Sequence, residues 1–179
     1  MSLALLHVAL DEFARRLRLV GPNDWGRRTP CSEWNVRALV NHVVGANVRY
    51  RLLLRGASVE QVEATRSVDH LGDDALASFL ASADQMVACF REDGALDRVV
   101  HHVSGDRTGS ALVPMRILDA AIHAWDLARA IGADETLPDE VVAYLLAFAT
   151  PYDDALRTAS PQDRLLHRLG RHSKTEEIR

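Results

Sequence analysis

Apolar residues recur through the first twenty positions at the step of a buried helical stripe. Leu6, Leu10, Phe13, Leu17 and Val20 predict a helix from Ser2, its expected cap, to about Val20. Gly21-Pro22-Asn23-Asp24 then stops it by turn chemistry, and "DWGRRTPCSEW" has no periodicity and is expected as a loop. A second helix is predicted from an Asn35 cap to about Arg55, with Gly56 closing it; Val36, Leu39, Val40, Val43, Ala46, Tyr50 and Leu53 form its apolar arc. Leu76, Phe79, Leu80, Ala83, Met86 and Phe90 place a third between Asp74 and about Glu92. Residues 94–109 form a glycine-punctuated connection with a brief extended piece at Arg98–Val103, and the fourth helix runs from about Val113 to Ile131, stopped by Gly132.

A further helix is expected near Pro138, carrying Val141, Leu145, Leu146 and Phe148 and ending or kinking at Pro151. "SPQDRLLHRLG" is a capped helix, with Ser160 as cap, Pro161 in the first turn, Asp163 closing the box and Gly170 after the end. Four long helices with moderate connections predict an all-α protein, an up-and-down four-helix bundle with additional short C-terminal helices. One domain is expected over residues 1–170, followed by a flexible polar tail at 171–179.

Composition sharpens this picture. The 179 residues are 47% hydrophobic and 6% aromatic, enough to bury a core and weighted toward helix. A net charge of −4, with arginines spread over many segments, argues against nucleic acid. No apolar run approaches the ~18–20 residues needed to cross a bilayer. The early apolar stretch meets Asp11 and Glu12, with no basic start or small-residue cleavage site, and is expected as the first helix of the fold. Two distant cysteines, Cys31 and Cys89, suit a reducing cytoplasm.

The chemistry concentrates in "RILDAAIHAWDLARAIG". Asp119 and His123 stand four apart on one helical face that otherwise offers Ile117, Leu118, Ile122 and Trp125. They form either a hydrogen-bonded pair or two ligands for a third group. His42, at the flank of the second helix's arc, is the best-placed third ligand from another helix. Two imidazoles and a carboxylate leave coordination positions open, as in catalytic zinc and several non-haem metal sites; nickel, iron and manganese suit the same ligands. Asp126 is a candidate partner for a ligand histidine, or for Arg129 or Arg116. Cys31 is expected as a small residue anchoring its loop beside Trp34, Cys89 and Trp125 as core, and Asn47 outside the site. His101 and His102 are expected as loop polar residues pointing opposite ways, with the lining of the substrate pocket as the alternative role.

Two motifs carry a family resemblance. Thr29, Pro30, Cys31, Trp34, Val36, Leu39 and His42 match a Thr-Pro-Cys-x-x-Trp-x-Val-x-x-Leu-x-x-His pattern. Asp119, His123, Trp125, Asp126, Leu127 and Ala128 match an acid-x-x-x-His-x-Trp-Asp-Leu-Ala pattern. Together they resemble the DinB-like (DinB/YfiT-like) superfamily, and most closely the actinobacterial branch that includes the N-terminal domain of mycothiol-dependent maleylpyruvate isomerase. The resemblance implies a divalent metal on His42, Asp119 and His123, the same three residues. The isomerase carries Glu where this chain has Asp119, one methylene shorter. It also has a further C-terminal domain contributing to its active site, so a reaction other than maleylpyruvate isomerisation is expected.

The function implied is a cytoplasmic, metal-dependent enzyme, mycothiol S-transferase-like, joining mycothiol or another low-molecular-weight thiol to a small electrophile. Arg49, Tyr50 and Arg116 are candidate contacts for an anionic thiol or substrate. A homodimer fits the family. Alternatives are a non-catalytic bundle binding a small molecule or partner, a mycothiol-dependent isomerase and a metal-water hydrolase.

Overall fold

The structure, a computed structural model, describes residues 2–148 and 158–171. Four helices form the bundle: α1 (Ser2–Leu17), α2 (Val36–Leu54), α4 (Ala75–Phe90) and α5 (Gly109–Ile131). Helix α1 packs chiefly on α5, and α2 on α4 and α5. A one-turn helix, α3 (Val59–Glu63), follows α2, and a hairpin of β1 (Val99–His102) and β2 (Gly105–Thr108) precedes α5. Helices α6 (Asp139–Phe148) and α7 (Pro161–Arg168) pack on one another beyond the bundle. The fold is therefore all-α in its core, a four-helix bundle with additional C-terminal helices, as the periodicity predicts, and its topology is the DinB/YfiT-like one that the resemblance implies.

Capping explains most boundaries. Asn35 accepts from the Ala38 amide at the start of α2, Asp74 from Ala77 at α4 and Ser160 from Asp163 at α7. Gly132 closes α5 with φ +73°, a left-handed conformation that favours glycine. The expected cap Ser2 is instead the first residue of α1, and α1 stops at Leu17. The amides of Leu19 and Val20 turn back to carbonyls three residues earlier, and Leu19 is left 57% exposed.

Other boundaries differ for identifiable reasons. Helix α5 begins four residues before the predicted Val113, because Thr108 caps it and Pro114 is tolerated early in the helix. The helical partner that Pro114 fails to supply belongs to Ser110, which is exposed to solvent. The extended piece finds an antiparallel partner across Gly105, making a hairpin that alternation alone did not disclose. Pro138 precedes α6 instead of opening it, while Leu80 and Phe148 lie on outer faces. The expected break at Pro151 and the tail beyond Arg171 lie outside the described residues.

One apolar cluster runs from Leu5 to Leu166 and includes Phe13, Leu39, Phe79, Ile117 and Trp125. No described helix is long and apolar enough to cross a membrane. Phe13 is fully buried, its ring 4.9 Å from that of Phe79, where α1 meets α4. Phe13→Ala should cost about 3–5 kcal/mol of unfolding free energy in urea titrations with an unchanged slope.

Candidate metal centre

Helix α2 carries His42 about two turns beyond its Asn35 cap, and α5 carries Asp119 and His123 across from it. His42 Nε2 lies 3.1 Å from Asp119 Oδ1, and His123 Nε2 lies 3.5 Å from the same oxygen. One donor atom from each of the three falls within 4.8 Å of the other two. An ion with tetrahedral ligands at about 2.0–2.1 Å has donor–donor edges of about 3.3 Å. The two measured edges bracket that value, so the residues fit a small divalent cation.

The second oxygen of Asp119 is held from behind. Arg116, fully buried, donates from Nη1 to Asp119 Oδ2 at 2.6 Å. Its Nε and Nη2 donate to Asn47 Oδ1 at 3.1 and 2.7 Å, and Nη2 also to the Val43 carbonyl at 3.2 Å. Asn47 Nδ2 in turn donates to Ser82 on α4. This corrects the expectation for Arg116: it faces the carboxylate and the core, so its donors are not available to a ligand. Asn47, left outside the site, supports it at one remove.

His123 is fixed from its other side. Its Nδ1 donates to Asp126 Oδ2 at 3.0 Å, leaving Nε2 to face Asp119. Arg171, beyond α7, donates to both Asp126 oxygens at 3.2 and 3.0 Å and to Cys31 Sγ at 3.0 Å. Asp126 thus pairs with Arg171, a residue the sequence did not single out, and not with Arg129 or Arg116. Trp34 lies over the imidazoles, its ring 4.5 Å from that of His42 and 5.7 Å from that of His123. Cys31 anchors its loop through Thr29 but also meets Asp126 Oδ2 at 3.3 Å. Both cysteines are unpaired, and Cys89 and Trp125 are core as expected.

Cys31, His123 and Asp126 make a second group with metal-ligand geometry. Arg171 already brings a positive charge against both Cys31 and Asp126, so a second cation there would meet repulsion. The His42–Asp119–His123 group has no guanidinium on its forward oxygen.

Charge is arranged accordingly. Burial alone would raise the Asp119 pKa, but hydrogen bonds from His123 and His42 and the charge of Arg116 hold it well below the usual carboxylate range. Burial opposes the imidazolium of His123, yet Asp119, Asp126 and Cys31 together raise its pKa to about 11 in the protein alone. A cation bound at Nε2 would take the place of that proton.

Beside Asp119 opens a cleft of about 120 Å³, bordered by His42, Arg49, Tyr50, Arg66 and His102. Arg49 and Tyr50, two of the candidate ligand contacts, both line this cleft. Burial, then the charge of Asp119, pushes the Tyr50 hydroxyl far upward, so it keeps its proton. His101 is exposed against Asp106, while its neighbour His102 turns to the cleft, the opposite orientations expected of adjacent strand residues.

A four-helix bundle that draws two histidines and a carboxylate from α2 and α5 to one point has a DinB-like fold with a candidate metal-binding cluster. The chain belongs to the family described as the mycothiol maleylpyruvate isomerase N-terminal domain, which matches residues 6–128. Two uncharacterized proteins of Mycobacterium tuberculosis, Rv0738 and MT0763, are each 31% identical to it over 141 residues, covering 79% of this chain and 73% of theirs. The crystal structure of the mycothiol-dependent maleylpyruvate isomerase superposes with a TM-score of 0.65 at 22% identity, covering 82% of this chain. This chain spans 66% of that one, just under two thirds of its length. A DinB-like protein of Bacillus subtilis, YjoA, has the same fold at TM-score 0.60 and 14% identity, over 76% of this chain and 95% of its own.

Arg116→Gln would leave Asp119 Oδ2 and the Val43 carbonyl without their donor in a buried setting. Chemical denaturation should register a loss of about 3–5 kcal/mol. A change below about 1 kcal/mol would show that the guanidinium does not hold this cluster together.

Proposed function

We propose that this chain is a metal-dependent, thiol-using enzyme, mycothiol S-transferase-like, acting on a small electrophilic molecule. The observation that carries the proposal is the approach of two Nε2 atoms, from His42 and His123, to the single oxygen Asp119 Oδ1 beside an open cleft. A divalent ion held there, with zinc suited to a donor set of two nitrogens and one oxygen, would bind a thiol sulfur and keep it as the nucleophilic thiolate near neutral pH.

The chain's own residues prepare that chemistry. Asp126 fixes the tautomer of His123 by taking its Nδ1 proton in a hydrogen bond. Arg116 ties back one carboxylate oxygen so that the other points forward. Trp34 limits the tilt of the imidazoles by packing on them. On the cleft side, Tyr50 presents an O–H donor, and Leu53, Val59 and Val62 supply an apolar wall that keeps water from part of the site. Membership of the mycothiol maleylpyruvate isomerase N-terminal domain family and the likeness to the solved mycothiol-dependent isomerase support mycothiol as the thiol. The unpaired cysteines suit a cytoplasmic setting.

Protein purified without added metal should carry about one zinc per chain by elemental analysis. His42→Ala, Asp119→Ala and His123→Ala should each lose it. Asp126→Asn should weaken zinc about 10–100-fold in competition with a chromophoric chelator, with unchanged helical circular dichroism. Wild-type protein that stays metal-poor after dialysis against zinc, and neither binds mycothiol calorimetrically nor consumes it with electrophiles, would make this a non-catalytic binding bundle.

A further inference from the structure

The cleft beside Asp119 holds more positive charge than a thiolate site requires. Three guanidiniums, Arg49, Arg66 and Arg116, face two carboxylates, Asp119 and Glu63, before any cation is added. Arg66 is paired with Glu63 at the surface, and Arg116 is fully engaged with Asn47 and Asp119. Arg49 is different. It is only 7% exposed, and Nη2 donates to the His42 carbonyl at 3.2 Å. Asp119 and Glu63 act on it through space and not by contact. Among the described residues it has no ion pair. A buried guanidinium resting on one neutral acceptor is costly unless something else completes it.

Local structure is shaped to seat this side chain. A Cβ on Gly45 would stand 2.7 Å from Arg49 Nη1 and 2.8 Å from the His70 ring, so the glycine opens the slot in which the guanidinium lies. Arg49 thereby borders both the cleft at Asp119 and a neighbouring one lined by Trp34, Asn41 and His70. A second donor stands across the first cleft. His102 Nδ1 accepts the Ser104 backbone N–H at 3.1 Å, which leaves the proton of the neutral ring on Nε2. Burial, then the charges of Arg107 and Arg66, lowers the His102 pKa and keeps that ring neutral. Asp119 makes no hydrogen bond to Arg49; its oxygens are engaged by Arg116 and by the two imidazoles.

We infer that Arg49 is the anchor of an anion subsite beside the metal cluster, and that the molecule turned over here carries a carboxylate. The planar fork of the guanidinium matches two carboxylate oxygens, and the His102 Nε2–H and the Tyr50 hydroxyl add donors along the same cleft. The apolar wall of Leu53, Val59 and Val62 suits a short hydrocarbon chain between the acid and the reacting carbon. The inference rests on the proposed thiol reaction for what happens at that carbon, while recognition of the acid is anchored by Arg49 and needs no metal.

The test is calorimetric titration of the full chain with succinate, and with uncharged succinamide, before and after chelator treatment. Succinate should bind the wild type and succinamide should not. Arg49→Gln should weaken succinate at least about 10-fold, since a hydrogen-bonded charge is lost. Arg49→Lys keeps the charge without the fork and should weaken it about 3-fold; this arm decides the matter if the glutamine variant does not fold. Unchanged succinate binding in the arginine variants, equal binding of succinamide, or no succinate binding to the wild type overturns the subsite. The same titration in saturating 2-mercaptoethanol separates the two sources of the acid: retained binding assigns it to the electrophile, and exclusion assigns it to the thiol. Because the Arg49 comparison is read on chelator-treated protein too, zinc loss in His42→Ala and loss of anion recognition report separately on the metal reading and on this one.

Discussion

A carboxylate placed among packed helices must be compensated or the bundle does not form. Here Asp119 is compensated from two directions, by Arg116 at Oδ2 and by the two imidazoles at Oδ1. That single demand organises the centre of the molecule. It draws Arg116 inward, which needs Asn47 and the Val43 carbonyl on α2, and Asn47 needs Ser82 on α4. On the other side it aligns His123, which draws in Asp126 and through it Arg171. One polar chain thus crosses α4, α2 and α5 and ends beyond α7.

Such a network is weak evidence for stability. An apolar core of similar volume would hold four helices together as well or better. What the network secures is position: it gives each ligand atom one direction to face and keeps the forward oxygen of Asp119 free of guanidinium. The shorter side chain of aspartate makes this backing more important, because Oδ2 is pulled toward Arg116 on its own helix one turn earlier. The carboxylate therefore projects from a fixed point, and the imidazoles of α2 and α5 come to it.

The helices and the three candidate ligands were legible because both depend on local spacing. Period-3.6 stripes marked α1, α2, α4 and α5, while Asn35, Asp74 and Ser160 marked the beginnings of α2, α4 and α7. Asp119 and His123 share a face by helical geometry, and His42 lay on the flank of an otherwise apolar arc. What stayed hidden depends on contacts between distant segments. Arg116 and Arg49 are both arginines on amphipathic helices, and no pattern tells that one turns to the core while the other turns to the cleft. Arg171 meets Asp126 across 45 positions, and Trp34 reaches the imidazoles from an aperiodic loop. The one-turn α3 and the hairpin escaped because each is shorter than the window over which periodicity declares itself.

Those hidden pieces are also the ones that distinguish this cleft from others on the same scaffold. The bundle and the two motifs deliver the cluster, and a shared fold at 22% identity says little more than that about the reaction. The outer walls of the cleft come from Val59, Val62 and Glu63 on α3, Arg66 just after it, and His102 and Val103 at the hairpin. These are short connecting elements, which can change length and side chains without disturbing helix packing. Asp119 also borders a second cleft of about 330 Å³, lined by Tyr50, Met115, Leu118, Ile122, Leu169 and Arg171, while Trp34 covers the imidazoles. Under the proposed function a reactant would reach Asp119 past α3 and the hairpin or through the cleft at Leu169, and the choice of substrate would belong to residues there and to Arg49, not to the three candidate ligands.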